Sequence, residues 1–118
     1  MTKEVKLDKT KFYEQLKQFS NKYIPIFIMM PINENSKYSI VLDENRFAQK
    51  IDHNYTLQIF DRTKSGYEKY LCKDINFNLV EENIKSDYQL YKFINKKIEE
   101  VISNDKGTRR SNRNIKWQ

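Results

Sequence analysis

Several residue types are scarce in this 118-residue sequence, which has one cysteine, one histidine, two glycines and two prolines. The single cysteine, Cys72, excludes an intrachain disulfide framework and a cysteine-based zinc site, and a reducing cytosol is its simplest context. Because Gly66 and Gly107 are the only two glycines, a glycine-rich loop that cradles phosphates is excluded as well. We therefore expect no cofactor and no metal centre.

The few chemically reactive side chains do not form a recognisable catalytic set. His53 could activate Cys72 or a serine, but no nucleophile-elbow motif surrounds these residues. The acidic pairs Glu81-Glu82 and Glu99-Glu100 are adjacent along the chain and are typical of solvated surface. We interpret His53 as a polar loop residue and Cys72 as a small buried side chain. The sequence thus predicts a protein that is not an enzyme.

Long apolar segments are also missing. The longest apolar run, residues 23–32, contains Pro25 and Pro31 and falls short of the roughly 20 residues that span a membrane. The charged N-terminus lacks the apolar stretch of a secretory signal. We expect a cytoplasmic protein with no membrane partner. Abundant Lys, Ile and Asn, whose codons are A/T-rich, indicate an AT-rich genome such as that of a low-GC bacterium, its phage or its plasmid.

The positive charge of the chain is unevenly distributed. The net charge is +6, yet residues 106–118 hold five basic side chains and no acidic one. No helical or strand period is apparent there, and the polar composition predicts a flexible, disordered basic tail. Arginine presents a planar fork to phosphate oxygens, and an exposed indole can stack on an unpaired base. The candidate binding residues are Lys106, Arg109, Arg110, Arg113, Lys116 and Trp117.

Three functional hypotheses follow from these features. The first is a small non-enzymatic protein that acts on or beside DNA or RNA through phosphate contacts from the basic tail. The second is a protein-binding modulator, such as a phage- or plasmid-encoded inhibitor of a host nucleic-acid enzyme, whose tail docks on an acidic surface. The third, ranked below these, is a small basic ribonuclease toxin. A homo-oligomer stays open, because the apolar stripe from Leu90 to Ile102 serves a dimer as well as a core.

The hydrophobic pattern predicts a single α+β domain over residues 1–105. A mainly antiparallel sheet of about five strands is flanked by an N-terminal and a C-terminal helix. The predicted elements are a helix over residues 9–22, strands over residues 24–30, 38–42, 54–61, 67–72 and 75–79, and a helix from residue 86 to about residue 103.

Local signals set the ends of the helices. Asp8 or Thr10 can cap the first helix, and a capping box at Ser86 opens the last one. Gly107 is placed to stop that last helix. After Asp43 we predict a short helix in which Phe47, Ala48 and Ile51 point inward, with a structured loop as the alternative.

The role of the strand aromatics has two interpretations. Five of them fall on predicted strands, namely Tyr55, Phe60, Tyr67, Tyr70 and Phe77. Such residues usually serve core or cross-strand packing. An exposed aromatic sheet beside basic residues could instead stack RNA bases, although the RNA-recognition-motif signature is missing.

Overall fold

The computed structural model describes residues 5–20, 23–47 and 50–115, with side chains for all of these except residues 47, 50–51 and 106–115. It has an α+β fold with a four-stranded antiparallel sheet and two α-helices, which confirms the predicted class. The elements are α1 Lys9–Gln18, β1 Phe27–Pro31, β2 Tyr38–Phe47, β3 Lys50–Asp61, a 3₁₀ turn Gly66–Lys69, β4 Ile75–Asn78 and α2 Asp87–Ile115.

The four strands form a meander in the order β1-β2-β3-β4. Because side chains alternate between the faces of a strand, the register aligns Ile28, Leu42, Leu57 and Ile75 on one inner face. The first three of these are fully buried. The outer face carries the intervening positions, among them the more exposed Met29. The hydrophobic core therefore lies on one side of the sheet.

Both helices contribute to that core through apolar stripes. In α1, Asp8 Oδ1 accepts a hydrogen bond from the Lys11 N–H at 3.1 Å, and Phe12 and Leu16 are buried. The predicted capping box holds in part, since the Gln89 N–H donates to Ser86 Oγ at 3.1 Å. The apolar stripe of α2 is buried at Leu90, Tyr91, Ile94, Ile98 and Ile102.

The first helix is shorter than predicted. It ends at Gln18, where the prediction extended to residue 22. The Phe19 N–H donates to the carbonyl of Leu16 at 3.0 Å, which tightens the last turn and closes the helix.

The prediction of a short helix after Asp43 is wrong. Phe47 lies in β2 and Ile51 lies in β3, so this part of the chain is a long hairpin, and Ala48 lies outside the described residues. The inner positions of β2 here are Glu44 and Arg46, which a search for apolar alternation does not recognise.

These two charges are compatible with a strand interior because they pair with each other. Arg46 Nε donates to Glu44 Oε2 at 2.8 Å, and the Ile26 N–H donates to Glu44 Oε1 at 2.9 Å. The hydrogen bond that Arg46 donates to Glu44 also raises the pKa of Arg46. Paired and hydrogen-bonded charges avoid most of the penalty of burial.

The predicted strand over residues 67–72 is also wrong, so the sheet has four strands and not five. The Asp61 carboxylate accepts from the Thr63 N–H at 2.9 Å and ends β3 in a turn. Gly66 then adopts a left-handed φ of 63° and opens the 3₁₀ turn. The chain returns to β3 only at Tyr70, which forms an isolated bridge with Phe60.

The last helix extends further than predicted. It does not stop near Ser103, and its backbone continues through Gly107 to Ile115. A single glycine costs a helix interior only about 1 kcal/mol, and no proline follows it. Lys116 and Trp117 lie outside the described residues, and flexibility of residues 106–118 relative to the domain stays a prediction. Among the described residues, no helix is long and apolar enough to cross a membrane.

Candidate nucleic-acid interface

The basic residues near the C-terminus occupy related positions on α2. Positions 106, 109, 110 and 113 all fall within the helical backbone of α2. Their offsets of three, four and seven residues place them on one side of an α-helix. We call these four positions the basic helix face. The basic residues that stand out in the sequence thus share one side of a helical backbone.

The basic helix face begins just after the part of α2 that packs on the domain. Among the described side chains, Ile102 is the last buried residue of the helix. From there α2 continues for about 20 Å, at 1.5 Å per residue. The pKa of the Cys72 thiol is raised first by burial, then by the negative charge of Asp74 and then by that of Asp105. Asp105 therefore lies close enough to Cys72 for its charge to act on the thiol. The basic helix face therefore starts beside the loop that connects β3 to β4.

The first half of this loop is held by a buried carboxylate. Asp61 is 1 % exposed, and its Oδ1 accepts from both the N–H and the hydroxyl of Thr63, at 2.9 and 2.5 Å. Burial alone would raise the pKa of Asp61, but the Thr63 hydrogen bonds and the charge of Lys37 hold it below its ordinary value. Lys37 Nζ lies 3.6 Å from Asp61 Oδ2. The Arg62 guanidinium donates a hydrogen bond to the carbonyl of Ser36.

The second half of the loop presents aromatic and cationic side chains. Tyr67 is 94 % exposed and Tyr70 is 40 % exposed. The Tyr70 and Phe60 rings meet edge to face with centroids 6.3 Å apart. Lys69 Nζ lies 5.1 Å from the Tyr70 centroid and 5.9 Å from the Phe60 centroid. Aromatic rings and a cation thus occur together in the loop that lies beside the start of the basic helix face.

The strand aromatics divide between core and surface. Tyr55 and Phe77 are buried on the inner face, and their rings stack with centroids 5.6 Å apart and an interplanar angle of 17°. Burial raises the pKa of Tyr55 to about 12. Phe60 is half-buried on the outer face with Tyr70 beside it. The packing interpretation therefore holds for Tyr55 and Phe77, whereas Phe60 and Tyr70 form a partly exposed pair.

His53 and Cys72 are far apart in the fold. The carbonyl of His53 accepts from the Leu79 N–H, whereas Leu71, next to Cys72, donates to the carbonyl of Ile59. Six residues of an extended strand separate these two points of β3, which is roughly 20 Å. A cysteine–histidine pair is therefore excluded. Among the described residues, no group of three or more His, Cys, Asp or Glu side chains is placed to hold a metal ion.

The chain is similar in sequence to a known protein. The chain is 29 % identical over 100 residues to the ribonuclease P protein component of Clostridioides difficile (strain 630), and the match covers 72 % of this chain and 88 % of that protein. No protein-family model matches the chain, and neither does any solved structure. By its name, the similar protein is a component of an enzyme that acts on RNA.

The sequence contained a signal for the basic helix face that the hydrophobic pattern did not reveal. Apolar residues are too few over residues 106–115 to show a period, and the basic residues carry the helical spacing instead. The sequence indicated the Phe60–Tyr70 contact less clearly. This contact depends on how the chain returns to β3 after the turn at Asp61, which the local sequence does not determine.

Proposed function

We propose that this chain is an RNA-binding protein that contacts RNA phosphates through the basic helix face. The observation that carries the proposal is the continuation of α2 to Ile115, which aligns positions 106, 109, 110 and 113 on one side of a helix. Lys116 and Trp117 follow directly in the sequence and extend the same segment. The similarity to a ribonuclease component supports RNA over DNA as the partner.

Charge distribution explains why the contact would be confined to this segment. Residues 1–105 hold 17 basic and 16 acidic residues, so they attract a polyanion only weakly. Three arginines lie within the five residues 109–113, and each guanidinium can bind a phosphate with two parallel hydrogen bonds. A helix also holds these positions apart at fixed spacings, which reduces the ordering cost of binding compared with a flexible tail.

We infer a non-catalytic role in the cytoplasm. A binding component needs no nucleophile or general base, and the burial that raises the pKa of Cys72 keeps this thiol in its unreactive protonated form. The ribonuclease toxin hypothesis predicts RNA cleavage by the purified chain, and the non-catalytic role predicts that RNA is bound intact. An origin in a phage or plasmid remains part of the proposal on the basis of codon composition alone.

The proposal is tested by equilibrium binding of fluorescently labelled RNA to the full chain. The test variant is Arg109→Gln/Arg110→Gln/Arg113→Gln. At about 0.5–1 kcal/mol for each exposed charge contact, the loss of three contacts weakens binding roughly 10- to 100-fold. DNA of the same sequence is bound more weakly than RNA if the assignment of the partner is correct.

The matched control removes the same charge from exposed positions outside the basic helix face. Lys11, Lys17 and Lys96 are exposed on α1 and the body of α2. The variant Lys11→Gln/Lys17→Gln/Lys96→Gln should retain most of the affinity. Equal losses in the two triple variants would show that only net charge matters, and an absence of RNA binding by the wild-type chain would refute the proposal outright.

A second candidate function, docking on a protein, is favoured by the edge of the sheet. Phe27 and Met29 on β1 are 47 % and 61 % exposed, and Tyr23 and Ile24 precede them with large exposed areas. Exposed apolar side chains next to an unpaired strand edge are typical of a protein-binding surface. A pull-down from a nuclease-treated lysate of a low-GC bacterium separates the two functions, because a partner retained after RNA digestion favours protein docking.

A further inference from the structure

A second part of the surface, distinct from the basic helix face, has the chemistry of a nucleotide-binding site. On the outer face of the sheet, the Phe60 and Tyr70 rings pack edge to face with centroids 6.3 Å apart. Lys69 reaches over both rings, with its Nζ 5.1 Å from the Tyr70 centroid. The backbone fixes this arrangement, because Tyr70 bridges to Phe60 and the Leu71 N–H donates to the carbonyl of Ile59 at 3.1 Å.

The exposure of these rings distinguishes them from packing residues. Tyr55 and Phe77 form a comparable aromatic pair on the inner face, and they are only 5 % and 7 % exposed. Tyr70 keeps 40 % of its surface open, although its ring is held in place by Phe60 and Lys69. A rigid and partly exposed ring can accept a base with little further loss of side-chain entropy. Tyr67 is 94 % exposed, and no described ring packs against it.

The position of the cation suits a nucleotide rather than an apolar ligand. A positive charge beside an exposed aromatic ring can attract the phosphate of a nucleotide whose base stacks on that ring. Asp74 lies on the same side of the sheet, where its Oδ1 accepts from Gln58 Nε2 at 3.0 Å. Its negative charge repels the phosphate backbone from the centre of the sheet, which leaves the Lys69 side for the phosphate.

The polar side chains farther along the outer face favour stacking without base-specific recognition. Asn45 Nδ2 donates to Thr56 Oγ1 at 2.7 Å, and Thr56 Oγ1 donates to Asn76 Oδ1 at 2.8 Å. Because these outer-face side chains bond to one another, they offer few free donors or acceptors to the edges of a base. A ring that binds by stacking alone tolerates any base, since every base has a π-face.

We propose that Phe60, Lys69 and Tyr70 form a stacking site for one unpaired base of the RNA whose phosphates lie on the basic helix face. This inference rests on the proposed function. It is supported by the position of Cys72, which lies two residues after Tyr70 and is an electrostatic neighbour of Asp105 at the start of the basic segment. The partner is therefore an RNA with a single-stranded segment next to the part held by α2.

The test uses the full chain and a single-stranded RNA that contains a fluorescent adenine analogue, with a fully paired RNA duplex as the comparison. Tyr70→Leu should weaken binding to the single strand by about tenfold, the effect of one stacked base, and abolish the quenching of the analogue. Binding to the duplex should not change. Tyr70→Phe keeps the ring and should behave as the wild type, and the matched control Tyr67→Leu should retain full affinity.

Each other outcome overturns the stacking site. If Tyr70→Leu binds and quenches like the wild type, the site is wrong while RNA binding by the basic helix face stands. A loss that is equal for single strand and duplex assigns Tyr70 a structural role, which thermal melting of Tyr70→Leu and Tyr70→Phe checks independently. If Tyr70→Leu keeps its RNA affinity but loses a nuclease-resistant protein partner, this face docks a protein. If the wild-type chain binds no RNA, the stacking site and the proposed function fail together.

Discussion

Substitution of Gly107 separates a helical interface from a flexible tail without changing the charge of the protein. Proline at position 107 removes the hydrogen bond to the carbonyl of Ser103 and costs a helix interior about 3 kcal/mol. The nine residues from 107 to 115 are then too few for a stable isolated helix. They are about a quarter of the α-helical residues, which number 10 in α1 and 29 in α2. Gly107→Ala stabilises the same helix by about 1 kcal/mol.

Three measurements on these variants test the reasoning. Circular dichroism should lose about a quarter of its helical signal in Gly107→Pro, by the residue counts of the two helices. The melting temperature should hardly change, because the buried stripe of α2 ends at Ile102. RNA affinity should fall several-fold in Gly107→Pro and stay the same or rise in Gly107→Ala. Wild-type affinity in Gly107→Pro would refute the helical interface, since the five basic residues would then act as a flexible tail.

Three further predictions concern the domain itself. Ile98→Ala leaves a cavity at a fully buried position and should lower the free energy of unfolding, measured by urea denaturation, by about 2–5 kcal/mol. A loss below about 1 kcal/mol would contradict the assigned core. The pKa of Tyr55 is raised to about 12 from about 10 in the unfolded chain, so stability should fall as pH rises through this window, and Tyr55→Phe should remove that contribution. Arg46→Leu leaves the Glu44 carboxylate buried without its partner, so in urea it should be less stable than Glu44→Leu/Arg46→Leu.

The sequence predicted the fold class and most of the elements because apolar periodicity is strong where it applies. The stripe of Leu90, Ile94 and Ile98 is buried as expected, and the Asp8 cap forms. The pattern failed where inward positions are not apolar. Glu44 and Arg46 occupy interior positions of β2 as an ion pair, which no hydrophobic count can reveal.

The sequence predicted which residues belong to the candidate site, but it did not predict how the fold arranges them. Its basic residues stand out in the sequence, but one glycine was given too much weight as a helix stop, although its cost can be absorbed by a long helix. The Phe60–Tyr70 pair forms because the chain comes back to β3 after the turn at Asp61. It pairs with β3 there through a single bridge and not through a full strand. Alternation alone could not distinguish this geometry from the predicted fifth strand.

The salt dependence of RNA affinity tests the central claim most directly. Four phosphate contacts on a single strand give a slope of log K against log salt of about −3, at about −0.7 per contact. Arg109→Gln/Arg110→Gln/Arg113→Gln leaves one of the four positions basic and should reduce the slope to about −1. A slope that is the same in the wild type and in this variant would contradict an RNA interface on the basic helix face.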